Sequence, residues 1–348
     1  MIRIGFRLPI GSGIPASVRP RFAERLEELG YESFWFPHIV SRDIYAFDSL
    51  EILTAVAART KRIRLGTAVL QVPLYQPVDL ARRLVTLDHL SDGRLILGVG
   101  IGFIPKEFSN LGVEYQERSA RTVEALEILE KLWTEPEVTF EGKYYKLREV
   151  VLEPKPVQRP RIKILVGGGY HGITRGAPGA AEKSKWSLGA IRRIARFGDG
   201  WISVSGMIAE ELLEGMERIK RAAQEIGREI RDAEFDLTLE SGYLTVGESV
   251  AAARQEARDF YGSRVAGGFY QVQGNPDLDT WLERGCFGPP EMIAEKVNEW
   301  LSYEHTVPAL KRIILMIASL DPIGQLERFH HEVRPLLKLR DPGSPVQP

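Results

Sequence analysis

The feature that most constrains this chain is a spacing. Apolar, strand-like runs begin near residues 3, 33, 64 and 95, so that successive starts lie 30, 31 and 31 residues apart. Helical patterns stand between them. Residues 18–29 keep helical periodicity up to Gly30, residues 48–60 open on the capping-box spacing Asp48-Ser49-Leu50-Glu51, and residues 79–90 stop at Asp92-Gly93. A strand and a helix repeated at that interval, with short connections, predict parallel strands joined by right-handed crossovers. The second half keeps the alternation but stretches it. Residues 118–133 form an amphipathic helical pattern, residues 140–145 read as a small hairpin, and residues 154–160 are a proline-rich connector. Further strands are expected at residues 163–167, 200–203, 235–239 and 312–316, with a helix at 188–197. Eight strands predict an α/β fold, a (β/α)8 TIM barrel with insertions after strands four and five; an open doubly wound sheet is the alternative. One domain over residues 1–340 and a disordered tail at 341–348 are expected.

Composition excludes several classes of function. The 348 residues carry a formal net charge of −1, which offers no electrostatic case for nucleic acid or an anionic membrane as partner. Cys286 is the sole cysteine, so there is no intrachain disulfide framework. Met1-Ile2-Arg3-Ile4 reads as the start of a strand rather than a signal sequence, and no apolar run reaches the roughly 18 residues of a membrane span. A cytoplasmic protein acting on a small molecule is the expectation.

In such a barrel the chemistry sits at the C-terminal strand ends. Those ends nominate Arg7, His38, Ala68 and Val69, Gly100 to Phe103, Gly167 to Gly169, and Ser203 to Ser205. Residues 92–103, DGRLILGVGIGF, are glycine-rich, but Phe103 stands where a dinucleotide fingerprint needs its third glycine and Pro105 follows. Their glycines read instead as room for a flat ring against bare backbone. His38 directly follows a core strand and has an acid–base group suited to neutral pH; a structural histidine at the barrel rim is the plainer reading. His89 reads as structural, and Glu27-Glu28 and Glu210-Glu211 as solvated helix faces. No pair of histidines or cysteines shows metal-ligand spacing, so no metal is expected. Ser187, Leu188 and Gly189 at a helix start, behind the triple glycine, form either a phosphate site or a simple N-cap.

With these residues in hand the chain resembles the bacterial luciferase-like monooxygenase superfamily, and most of all its branch using the deazaflavin coenzyme F420. The resemblance spans residues 2–336. It is carried by residues 65–70 and 92–103, by Glu107-Phe108 and Leu111-Gly112, by residues 154–160 and 166–168, by Gly198-Asp199-Gly200-Trp201 and by Gly288-Pro289-Pro290-Glu291. It implies hydride or oxygen transfer on a ring held across the strand ends, a bulge with a cis peptide at Ala68–Val69 behind that ring, and His38 as proton donor. The implied cofactor-binding set is Ala68, Val69, Gln71, Gly100, Gly102, Lys106, Gly167, Gly168, Gly169, Ser187, Leu188 and Gly189, with Arg7 and Phe103 toward the substrate and Trp35 nearby. Coenzyme F420 is the expected cofactor. FMN, reduced by a separate reductase for a two-component monooxygenase, is the alternative, and a flavin-binding protein without turnover a third reading. The resemblance also implies a homodimer. Phe103 stands where sugar-phosphate dehydrogenases of the branch carry glutamate, and Pro37 where they carry Asp, which points away from a sugar phosphate. Residues 170–186, with Arg175, Lys183 and Lys185, look like an inserted lid or a clamp on the cofactor tail.

Overall fold

The repeating unit closes into a ring. The computed structural model describes residues 2–8, 14–41, 45–170, 186–266 and 278–339. Its strands are β1 (Arg3–Arg7), β2 (Ser33–Phe36), β3 (Arg64–Thr67), β4 (Leu70–Gln71), β5 (Leu95–Gly100), the hairpin β6 (Val138–Glu141) and β7 (Lys146–Val150), β8 (Lys163–Gly167), β9 (Gly200–Ile202), β10 (Asp236–Val246), β11 (Cys286–Gly288) and β12 (Leu310–Ile317). Around the ring the order is β1, β2, β3, β5, β8, β9, β10, β12 and back to β1, every pairing parallel. The β9–β10 and β12–β1 pairings close it, so the open-sheet alternative falls.

The helices are α1 (Val18–Glu28), α2 (Ser49–Arg59), α3 (Pro77–Leu90), α4 (Pro105–Asn110), α5 (Arg118–Thr134), α6 (Leu188–Phe197), α7 (Ala209–Gln224), α8 (Val250–Ala266), α9 (Leu278–Arg284), α10 (Pro290–Ser302) and α11 (Pro322–Arg328). Asp48 caps α2, its carboxylate accepting from the Leu50 and Glu51 amides at 2.8 and 3.1 Å. Helix α3 starts at Pro77, two residues before the expected Asp79, because a first-turn proline lacks only an N–H that no helical carbonyl would accept. The buried Asp88 near its end accepts from the amides of Val157 and Gln158 at 2.8 and 3.1 Å and fixes the proline-rich connector. Arg94 donates to the carbonyls of Ala57, Thr60, Ile63 and Ser91, which places the Asp92-Gly93-Arg94 turn under the C-terminal end of α2.

Glu27 was expected on a solvated face. Its carboxylate instead accepts from the amides of Lys61, Arg62 and Ile63, tying α1 to the start of β3. The expected single strand over residues 64–70 is broken as well. Gly66 pairs with Ile96 but Leu70 pairs with Val99, so Thr67, Ala68 and Val69 oppose only Leu97 and Gly98. That is a β-bulge, and its Ala68–Val69 peptide is cis.

The interior of the barrel is apolar above and charged below. Trp35, Ala68, Ile96, Leu165, Ile202 and Ile314 pack together inside it. Trp35 fills this interior beneath the strand ends, packed in the same cluster as Ala68 and Val69: its indole N–H donates to Ser33 Oγ at 2.8 Å, and the Arg312 guanidinium lies 5.4 Å from its ring. At the bottom Arg312 bridges Glu32 at 2.7 Å and Asp236 at 3.1 Å, and Lys163 reaches Asp236 at 2.5 Å. Burial alone would raise the Asp236 pKa, but Arg312 and Lys163 outweigh it and hold the carboxyl at about 2. A folded-state value below the unfolded one gives stability that is present above the unfolded pKa of about 3.9 and is lost as pH falls through about 2. Asp236→Ala is expected to cost about 3–5 kcal/mol, since it strands buried cations, and to flatten the acid limb of stability between about pH 4 and 2. Urea unfolding of both proteins across that range checks it; parallel acid limbs would contradict it.

The region after the seventh barrel strand differs most from expectation. Strand β10 runs to Val246 instead of stopping at Leu239, with a register shift between Glu240 and Tyr243. Its upper end pairs with β11, and α8, α9 and β11 form a second hydrophobic cluster around Trp281, Phe260 and Phe287. The polar Glu240-Ser241-Gly242 interrupts the apolar run there, which hides the continuation in sequence. Among the described residues no helix is long and apolar enough to cross a membrane.

Candidate active site

The barrel mouth is organised by the bulge. A side chain at Gly100 would place its Cβ 2.5 Å from Val69 Cγ2, and one at Gly167 would stand 2.8 Å from Val69 Cγ1. The isopropyl group of Val69 therefore sits between β5 and β8, in the space those two glycines leave. These glycines accommodate the chain's own bulge, and Val69 above them is partly exposed. Gly102 has φ +74, open to glycine, and a Cβ there would collide with Gln71 Oε1.

His38 is buried directly after β2. Gln71 holds it twice: the Gln71 amide donates to His38 Nδ1 at 3.3 Å, and Gln71 Nε2 donates to the His38 carbonyl at 3.3 Å. An amide N–H facing Nδ1 leaves that nitrogen as acceptor, so the neutral ring carries its proton on Nε2, 2.9 Å from the Tyr75 hydroxyl. Burial pushes the Tyr75 phenol up from its ordinary value, and Asp48 adds to the effect. Glu107 is buried on α4 and accepts from the Val40 amide at 3.1 Å, which ties the loop after His38 to the neighbouring element. Gln71 thus reaches His38 directly, and its buried Oε1 has no hydrogen-bond partner.

Arg7 ends β1 inside the mouth, paired with Glu240 and 3.5 Å from the Ala68 carbonyl, while its buried Nε is unpartnered. Burial raises the Glu240 pKa against the opposing pull of Arg7 and of a hydrogen bond from Ser205. Glu240 was missed in sequence because the expected strand stops at Leu239, seven residues short of Val246; a charged residue inside the run DLTLESGYLTV was the available signal. Phe103, 64% exposed, follows β5, and Lys106 is exposed on the first turn of α4.

Beyond Gly167 the backbone turns through Gly168 and Gly169, with φ +100 and +102. The Gly169 carbonyl accepts from the Ser187 amide at 2.8 Å. Ser187 caps α6, its hydroxyl accepting from the Ala190 amide at 3.4 Å, while Leu188 and Gly189 are exposed on the first turn. The N-cap is real, and a second feature stands beside it. Arg193, buried on α6, donates to Ser119 Oγ at 2.5 Å, and burial, followed by the like charge of Arg118, lowers its pKa to about 10. Arg118 lies over Tyr115, 3.7 Å from the ring centre, with its Nε buried and without a hydrogen-bond partner among the described residues. These two guanidiniums repel each other and have no carboxylate partner among the described residues, so beside the first turn of α6 they leave positive charge available to an anion. Neither arginine was expected; Arg193 had a signal, since it interrupts the buried face of Ala190, Ile191, Ile194 and Phe197. Residues 171–185 of the expected insert, His171 included, and the tail at 341–348 lie outside the described residues. Tyr170 and Trp186, at the ends of that insert, face each other across an antiparallel bridge. Among the described residues no group of three or more metal-ligating side chains comes together.

A closed parallel barrel whose mouth joins a bulged third strand, a gripped histidine and an arginine pair is the architecture of a cofactor-binding barrel enzyme. The chain belongs to the luciferase-like monooxygenase family, whose pattern matches residues 6–303. It is 34% identical over 248 residues to an F420-dependent glucose-6-phosphate dehydrogenase of Kineococcus radiotolerans, a match covering 66% of this chain and 66% of that protein. It is 30% identical over 239 residues to 4-hydroxyprotoasukamycin monooxygenase of Streptomyces nodosus subsp. asukaensis, covering 68% of this chain and 60% of that one. The fold is similar to that of an F420-dependent secondary alcohol dehydrogenase solved with an F420–acetone adduct, with a TM-score of 0.75, 19% identity, and 98% and 100% of the two chains covered.

Proposed function

We propose that the protein is an oxidoreductase of small organic substrates that uses coenzyme F420. The observation that carries this reading is the connection, through Gly167 to Gly169, of the Val69 platform with the anion site of Arg118, Arg193 and the α6 amides. A flat ring with a phosphate-bearing tail is the kind of ligand that needs both. The orphaned Gln71 Oε1 and Arg7 Nε fit the polar edge of such a ring or of a substrate above it. When bound, the deazaflavin supplies a carbon that gives or takes a hydride. Val69 backs the ring, and Gly102 leaves Gln71 room beside it. His38 Nε2 holds the proton that accompanies the hydride, with Tyr75 as its hydrogen-bond partner and Gln71 keeping the ring in one tautomer. The similarity to an F420-dependent dehydrogenase supports this choice of cofactor.

Similarity to a monooxygenase favours a second reading, in which FMN reduced by a separate reductase serves oxygen insertion. Calorimetric titration with each cofactor separates the two. F420 is expected to bind at micromolar or lower concentration and FMN more weakly; FMN binding without F420 binding would overturn the first reading. We read the molecule as a homodimer on the family resemblance, which light scattering of the eluting protein tests.

A further inference from the structure

A cavity of about 410 Å³ lies at the same end of the barrel, outside the residues assigned so far. It begins at Ser205, which hydrogen-bonds Glu240, and at Met316, the register partner of both Arg7 and Tyr243. From there it extends over the second hydrophobic cluster. Its walls include Tyr243, Trp281, Met207 and Ile208, and it is large enough for a molecule of drug-like size. Trp281 is wedged among Tyr243, Phe287 and Tyr261, with ring centres 5.2, 5.2 and 5.3 Å away and the planes tilted by 48°, 30° and 52°, so this aromatic wall is closely packed.

The charges around the cavity are not equivalent. Glu211 accepts from the Tyr170 hydroxyl and from the Ile208 amide, and Lys296 pairs with Glu299 at 2.7 Å. Arg284 lines the cavity without an ion-pair partner among the described residues. Trp281 stands three residues before it on α9, on the same side of the helix, and its buried indole N–H is unpartnered. The exposed end of α9 therefore sets the Arg284 guanidinium at the border of an aromatic wall that includes Trp281.

We infer that this cavity receives the substrate, and that the substrate is a hydrophobic ring compound bearing one acidic group, its ring against Tyr243, Trp281 and Met316 and its acid on Arg284. This rests on the oxidoreductase reading for what happens to the substrate, but not for its binding. A sugar phosphate would set part of its hydroxyls against the rings of Tyr243, Trp281 and Trp300 and the thioethers of Met207 and Met316, where carbon offers them no partner.

Binding of 2-naphthoate and 2-naphthol to the cofactor-free protein, followed by ligand-observed NMR with glucose 6-phosphate as competitor, tests the inference. Both probes are expected to bind, with 2-naphthoate about tenfold the tighter, and glucose 6-phosphate to displace neither. Arg284→Ala, at an exposed position, is expected to remove that tenfold advantage and leave 2-naphthol unchanged. Ile208→Trp, which fills the half-exposed edge of the cavity, is expected to weaken both at least tenfold. Absence of binding, displacement by glucose 6-phosphate, or indifference to Ile208→Trp would each overturn the inference. The cofactor titration is independent: F420 binding with no naphthyl binding sinks this inference alone, and the converse sinks the cofactor reading alone.

Discussion

His38→Ala is expected to lower turnover by about 10²-fold or more while leaving cofactor affinity within about threefold of the parent. The split follows from geometry. His38 lies after β2, held by Gln71 and Tyr75, whereas the bulge and the arginine pair that would hold the cofactor belong to β3, β4, β8, α5 and α6. Steady-state kinetics together with a cofactor titration checks both halves. A near-normal rate would leave His38 as a rim histidine bonded to its neighbours. A joint loss of rate and affinity would instead say that the imidazole only braces the bulge through Gln71.

Arg193→Ala is expected to weaken cofactor binding by about 10- to 100-fold, the worth of a charge-assisted hydrogen bond to a phosphate in a partly buried site. In the cofactor-free protein the same substitution is expected to leave the melting temperature unchanged or slightly higher. It removes a buried cation whose pKa is already lowered by burial and by Arg118, which offsets the packing lost with the side chain. A ligand that binds only the folded state raises stability by mass action, so saturating cofactor should protect the parent against heat more than the variant. Equal affinity in the two proteins would remove the anion site from the proposal.

The barrel was legible because its signal is redundant: a strand and helix recurring at one interval state the topology several times over. His38 was legible because a residue directly after a core strand has few places to go. Residues that act across the fold were not. Arg118 and Arg193 come together from α5 and α6, 75 residues apart in sequence, and a solvated helix face and a buried guanidinium leave similar marks in a one-dimensional pattern. Glu240 was hidden by the polar break in β10. Glu211 was read as a surface carboxylate, yet it accepts from Tyr170 and Ile208 beside the cavity. The glycines of residues 92–103 were found, but what fills the space they leave was a matter of register: only the extra residue in the third strand brings Val69 between Gly100 and Gly167.

That seating of Val69 imposes an order on change. Gly100→Ala alone crowds a stiff, β-branched neighbour and is expected to cost about 1–3 kcal/mol, as overpacking does. Once Val69→Ala has been made, the same glycine substitution meets open space, so the double variant should be more stable than the two single costs added, by a coupling of about 0.5–3 kcal/mol that thermal melts of the four proteins can resolve. Mutational paths that alter the floor of this site are thus ordered: with the valine shrunk first Gly100 can grow at little cost, whereas a lineage or a library that takes the reverse order carries the full overpacking cost through its intermediate.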